Sequence, residues 1–156
     1  NVKLAMNKSV SYSTLAAILR LPSYYREEQR VLEEAVKLLE VVGLAEKQTT
    51  LAKNLPYGQQ RKLEIARALA AKPKILFLDE PAAGMNPQET TELTELIHQI
   101  KEQFNLTVVL IEHDMSLVMK ICERIYVLDY GKCIAHGTPE AIKNNRRVIE
   151  AYLGED

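Results

Sequence analysis

Apolar positions follow a helical rhythm in the first third of the chain and then change to short unbroken runs. Val31, Leu32, Ala35, Val36, Leu38, Leu39 and Val42 recur at the spacing of one helix face, while Arg30, Glu33, Glu34, Lys37 and Glu40 fill much of the remainder. The pattern predicts a long helix that opens on Tyr24-Tyr25-Arg26 behind the cap Ser23 and stops at Gly43. A shorter helix is predicted over 13–21, broken by Pro22. No strand pattern precedes residue 74.

Beyond Gly58 a helix is predicted to about Ala71, with Leu63, Ile65, Ala66, Leu69 and Ala70 on its apolar side and Pro73 ending it. Then the rhythm breaks. Lys74 to Leu78 and Thr107 to Ile111 are apolar without alternation, and Gln88 to Phe104 and Met115 to Cys122 read as helices between strands. Strands of this kind, separated by helices, predict a parallel sheet buried on both faces. Ile125 to Leu128 and Cys133 to Ala135 flank Asp129-Tyr130-Gly131-Lys132, the pattern of a hairpin turn. Thr138-Pro139-Glu140 then supplies the cap, first-turn proline and first-turn acid of a terminal helix. The expected organisation is a helical lobe over 1–54, an α/β core over 55–136 and a helical tail over 137–156.

Composition narrows the classes. The 156 residues are 47% hydrophobic and 26% charged, the makeup of a globular domain. No run approaches the ~18 to 20 apolar residues of a bilayer-crossing helix, so none is predicted. A net charge of −1 offers no footprint for nucleic acid or anionic lipid, so any phosphate binding has to be local. Cys122 and Cys133 lack CxxC spacing and read as reduced core thiols, in keeping with a cytosolic compartment. With no initiator Met and an abrupt Asn1-Val2-Lys3-Leu4, the chain is expected to be part of a longer protein.

The chemistry-bearing residues stand at element ends. Asp79 and Glu80 close the first apolar run, where neighbouring side chains project differently and two acids can take separate tasks. One can hold Mg²⁺ against phosphate charge while the other deprotonates an attacking water. An isolated Asp-Glu pair can equally be a solvated strand end, and it is the context that argues for chemistry. His113, between Glu112 and Asp114, ends the second run and would approach Asp79 and Glu80 if the two strands are neighbours; alone, it reads as a solvated turn residue with Asp114 capping the next helix.

Leu55-Pro56-Tyr57-Gly58-Gln59 opens a helix whose N-terminal N–H groups can face an anion, although by itself it is also an ordinary turn. Ala82 to Pro87 could likewise be only a loop ending in a helix-opening proline. His98 and His136 have no clustered partners and are assigned no metal. None of the six glycines completes G-x-x-x-x-G-K-[ST], the loop that cradles nucleotide phosphates.

In this order the features resemble the ATP-binding subunit of an ABC transporter. The resemblance places Leu55 to Gln59 at the signature motif, Asp79 at the Walker B aspartate and metal site, Glu80 at the catalytic glutamate, Ala83 to Asn86 at the D-loop and His113 at the switch histidine. Asp-Glu-Pro-Ala-Ala-Gly-Met-Asn-Pro, Ile-Glu-His-Asp-Met and the tail from Gly137 through Gly154 are similar to the branched-chain amino acid importer branch. Pro56, Tyr57 and Asn86 depart from the broad family pattern, and Pro56 has no N–H to offer a phosphate. The donors left at the signature are the backbone N–H groups of Tyr57, Gly58 and Gln59 and the Gln59 side chain.

What the resemblance implies is a P-loop NTPase-like α/β fold, seen in its C-terminal portion: a helical subdomain followed by a mainly parallel sheet flanked by helices. Family members bind ATP and Mg²⁺ between two ATP-binding subunits, each site completed by the partner's signature helix. Their helical subdomain faces transmembrane permease subunits at the cytoplasmic face of a prokaryotic membrane, and a periplasmic or extracellular solute-binding protein selects the cargo. The phosphate loop lies upstream in such proteins, so this chain alone is expected to bind ATP weakly and to expose apolar faces that favour self-association. Two other functions compete with this one: a docking module that hydrolyses nothing, and an ABC-type ATPase of DNA repair or translation, which the lack of a basic stripe disfavours.

Overall fold

The computed structural model describes residues 1–6 and 10–153; Gly154, the last residue of the C-terminal motif, lies outside the described residues. Helices α1 (Val2–Ala5), α2 (Thr14–Ile18), α3 (Pro22–Val41) and α4 (Tyr57–Ala70) precede strand β1 (Ile75–Asp79). Helix α5 (Pro87–Gln103), strand β2 (Thr107–Ile111), helix α6 (Met115–Ile121), strands β3 (Ile125–Asp129) and β4 (Lys132–Gly137), and helices α7 (Pro139–Lys143) and α8 (Arg146–Leu153) follow.

The start of α3 differs from the expectation built on Ser23. The helix begins at Pro22 with Leu21 at the N-cap, so Ser23 lies inside the first turn. The reason is local: proline's preset φ and missing N–H suit the first helical position, which outweighs a serine cap one residue later. Nor does Pro22 end α2. That helix stops because Arg20 turns left-handed (φ 50°), with Leu21 N–H donating to Ala16 O at 3.0 Å. Gly43 (φ 71°) closes α3 in the same manner, its N–H on Glu40 O and that of Leu44 on Leu39 O.

The chain divides into two compact units, one of residues 1–76 and 82–108, the other of residues 77–81 and 109 onward. In the first, α1, α3 and α4 pack on one another and bury Val2, Val31, Ala35, Ile65, Ala66 and Leu69. Helix α5 buries Leu93, Leu96, Ile97 and Ile100 at helical spacing. In the second, Val118, Ile125, Val127, Ala135, Ile142 and Val148 form one core.

Strands β1 and β2 pair. Thr107 N–H donates to Lys74 O at one end and Glu80 N–H to Ile111 O at the other, so the pair is parallel. The expectation of a sheet covered on both faces holds on one face only. Leu76 and Leu78 are buried, whereas the intervening Phe77 is 70% exposed and Ile111 57%. Nothing among the described residues covers that side of the strands, which carry apolar residues on both faces. β3 and β4 form an antiparallel hairpin in which Asp129 pairs with Lys132. Tyr130 (φ 42°) and Gly131 (φ 75°) supply the two left-handed residues that a two-residue hairpin turn requires.

Candidate active site

Parallel pairing brings two of the candidate side chains together in the second unit. Glu80 follows the last residue of β1 and has a left-handed backbone (φ 40°), while its N–H is fixed on Ile111 O at 2.9 Å. A non-glycine residue held there is strained, and such strain clusters at functional sites. The turn aims Glu80 Oε1 at His113 Nδ1, 3.3 Å away. Both side chains are open to solvent, 53% and 73% exposed, so a ligand can reach them. Asp79, at the end of β1, is also exposed.

Glu112 is the residue that sequence reasoning passed over. Its side chain is only 2% exposed, its Oε2 accepts from the His113 backbone N–H at 3.2 Å, and the same oxygen lies 4.0 Å from Nδ1. Nδ1 of His113 therefore has carboxylate oxygens of both Glu80 and Glu112 within 4.0 Å. No sequence signal separates Glu112 from a solvated neighbour of the histidine, because burial at a strand end depends on what covers it. Asp114 accepts from Ser116 N–H, Leu117 N–H and Ser116 Oγ–H, capping α6. The Ser116 hydroxyl, the helix N–H groups and His113 hold its carboxyl below the usual aspartate range, with partial burial opposing them.

In the first unit the turn that opens α4 presents the other candidate donors. Pro56 is the N-cap and no side chain caps the helix, so the N–H groups of Tyr57, Gly58 and Gln59 have no helical acceptor. Gly58 is buried, however, and a Cβ built on it would stand 2.8 Å from Glu89 Oε1. Tyr57 is 47% exposed, its hydroxyl accepts from Arg61 Nη2 at 2.8 Å, and its ring borders Gly84. Gln59 Oε1 is buried with no hydrogen-bond partner among the described residues, whereas the role expected of this side chain, as a donor, falls to its Nε2. Asn86 Oδ1 accepts from Glu89 N–H at 2.9 Å and Glu89 Oε2 accepts from Asn86 N–H at 3.0 Å, a complete capping box on α5.

Among the described residues no three metal-ligating side chains cluster. One exposed carboxylate still fits Mg²⁺, which keeps several waters and is held by one or two carboxylates together with substrate phosphates.

Comparison with known proteins places these features in a family. A model described as ABC transporter matches residues 2–83, and one described as Branched-chain amino acid ATP-binding cassette transporter matches residues 132–156. The chain is 49% identical over 155 residues to the high-affinity branched-chain amino acid transport ATP-binding protein LivG of Escherichia coli K12, covering 99% of this chain and 61% of LivG. It is 47% identical to BraF of Pseudomonas aeruginosa, which carries the same description, with the same coverage. The chain thus spans 61% of the length of these curated relatives. Among solved structures, the ADP conformation of MJ1267, an ATP-binding cassette of an ABC transporter, superposes with a TM-score of 0.76 at 29% identity, covering 98% of this chain and 61% of that one. A nucleotide-free ATP-binding cassette gives 0.72 at 29% identity, covering 99% and 62%. The fold is that of these P-loop NTPase cassettes, and with the transporter model matching more than half its length the chain belongs to the ABC transporter ATP-binding family.

Proposed function

We propose that the protein carrying this chain is an ATP-hydrolysing subunit that energises import of branched-chain or other neutral amino acids. The observation that carries the reading is the 3.3 Å approach of Glu80 to His113 at the ends of two paired parallel strands, where nucleotide sites of open α/β sheets lie. Asp79 would hold Mg²⁺, and the ion supplies charge neutralisation at the phosphates when bound. Glu80 takes the proton of the attacking water as general base. His113 turns Nδ1 toward Glu80, and an N–H on its Nε2 would donate to a γ-phosphate oxygen and so align phosphate and water. Tyr57, Gly58 and Gln59, together with Asn86 of the D-loop, would serve the nucleotide of a second ATP-binding subunit, where the start of α4 favours negative charge.

The remaining assignments follow the same reading. Residues 1–54 are the helical subdomain, 55–136 the catalytic core and 137–156 the tail. Leu15, Ile18, Leu19, Leu21 and Tyr25 leave apolar surface exposed on the helical subdomain, which supports docking on transmembrane permease subunits. A solute-binding protein would act through those subunits. Among the described residues no helix is long and apolar enough to cross a membrane, in keeping with a peripheral subunit, which we place at the cytoplasmic face of a prokaryotic membrane. The net charge of −1 argues against a nucleic-acid partner.

The test is Glu80→Gln in the full-length protein. Turnover should fall about 10²- to 10⁴-fold with Mg-ATP binding retained. Unchanged turnover removes Glu80 from the role of base.

A further inference from the structure

Glu89 joins two segments that the reading above gives to the same partner nucleotide. One of its oxygens completes the capping box on Asn86, and the other lies over Gly58, 2.8 Å from where a Cβ would stand, with its Cδ at 3.1 Å. Contacts this short exclude any side chain at Gly58 unless Glu89 moves. A free glutamate would swing away at little cost, but this one is held at both ends of the box: its N–H on Asn86 Oδ1 and its Oε2 on Asn86 N–H. Displacing the carboxylate from Gly58 therefore puts at risk the half of the box that satisfies Asn86 N–H.

Further contacts keep the two elements aligned. One turn along both helices, Lys62 Nζ meets Glu92 Oε2 at 2.7 Å. On the other side of the signature turn the Tyr57 ring lies 3.5 Å from where a Cβ on Gly84 would stand, and Gly84 is left-handed (φ 75°). The glycine at 58 is thus needed for the close approach of a carboxylate, and that carboxylate belongs to the D-loop's helix cap.

We propose that Glu89 is a positioning residue that locks the signature turn to the D-loop, so that an anion seated on the N–H groups of Tyr57 to Gln59 and the Asn86 cap move as one piece. Glu89 touches no reacting atom; it sets where Gly58 and Asn86 stand when the nucleotide arrives. The inference rests on the reading of these segments as phosphate-facing.

The test compares wild type, Gly58→Ala, Glu89→Ala, the double variant and Glu89→Gln in the full-length protein, by thermal melting and by ATP turnover. Glu89→Gln retains an acceptor for Asn86 N–H and should turn over near the wild-type rate. Glu89→Ala should lower kcat about 10- to 100-fold while the KM for ATP stays within about twofold, as expected for lost geometry rather than lost binding. Gly58→Ala should depress the melting temperature clearly more when residue 89 is Glu than when it is Ala, because the partner it collides with has gone. Additive melting shifts, or wild-type kcat in Glu89→Ala, would overturn the lock. A wild type without ATP turnover would end the functional reading and the positioning role with it, while the melting comparison would still report whether the contact exists.

Discussion

The strand-end cluster and the signature turn reach their geometry by opposite means. At the strand ends the backbone does the placing: Glu80 is aimed by a left-handed turn whose N–H is fixed on Ile111 O, and Asp79, Glu80 and His113 remain exposed. At the signature turn side chains do the placing, through Glu89 over Gly58, Arg61 on the Tyr57 hydroxyl and Lys62 on Glu92. The groups proposed to exchange protons and meet a ligand are left accessible, and the turn proposed to present backbone donors is clamped from the side. Substitutions should accordingly separate into those that cost turnover at constant stability and those that cost stability first.

The largest separation is expected at His113. His113→Ala should cut ATP turnover of the full-length protein about 10²-fold or more, yet change unfolding free energy by less than about 0.5 kcal/mol, since the ring is exposed. A large loss of stability in urea unfolding would break the comparison. At the clamped region the expectation reverses. Asn86→Ala removes the cap from Glu89 N–H and should cost about 1 kcal/mol of stability in the same titration, and a neutral result would mean that the capping box holds nothing.

The smallest effect lies outside both regions and appears only in acid. The Arg30 guanidinium, donating to Glu27 from Nε and Nη2, holds that carboxyl well below its usual value, down to about 2. A depressed carboxylate adds stability above the unfolded pKa, near 4.5, and that stability is lost as pH falls toward 2. The melting temperature should therefore decline from pH 5 to pH 2, and Arg30→Met should flatten the decline. An unchanged slope would remove Arg30 as its cause.

Much of this was legible in residue patterns, and the exceptions have physical reasons. The hairpin could be read because Tyr130-Gly131 sits between two apolar runs, and the opening of α5 because Asn86-Pro87 is a cap followed by a first-turn proline. Asn86 and Glu89, three residues apart, also carry the signature of a capping box, which could have pointed to Glu89. Its second contact could not be read, because Gly58 is thirty-one residues away in sequence and only packing brings it near. The cap of α3 falls at Leu21 and not at Ser23 because two local preferences compete and proline's prevails. The exposed Phe77 side of the sheet is not legible in sequence, since an unbroken apolar run says what a strand could bury, and not whether a covering layer is present. Burial of the Glu112 carboxylate and the Gln59 amide oxygen likewise depends on neighbours that no local pattern names.

The central claim is that Glu80 and His113 act as one unit on one nucleotide. Single-turnover ATP hydrolysis by full-length wild type, Glu80→Gln, His113→Ala and the double variant tests it most directly. The account predicts that the double variant is scarcely slower than Glu80→Gln alone, as for residues that serve a single step. Two defects that multiply independently, or a His113→Ala protein as fast as wild type, would contradict it.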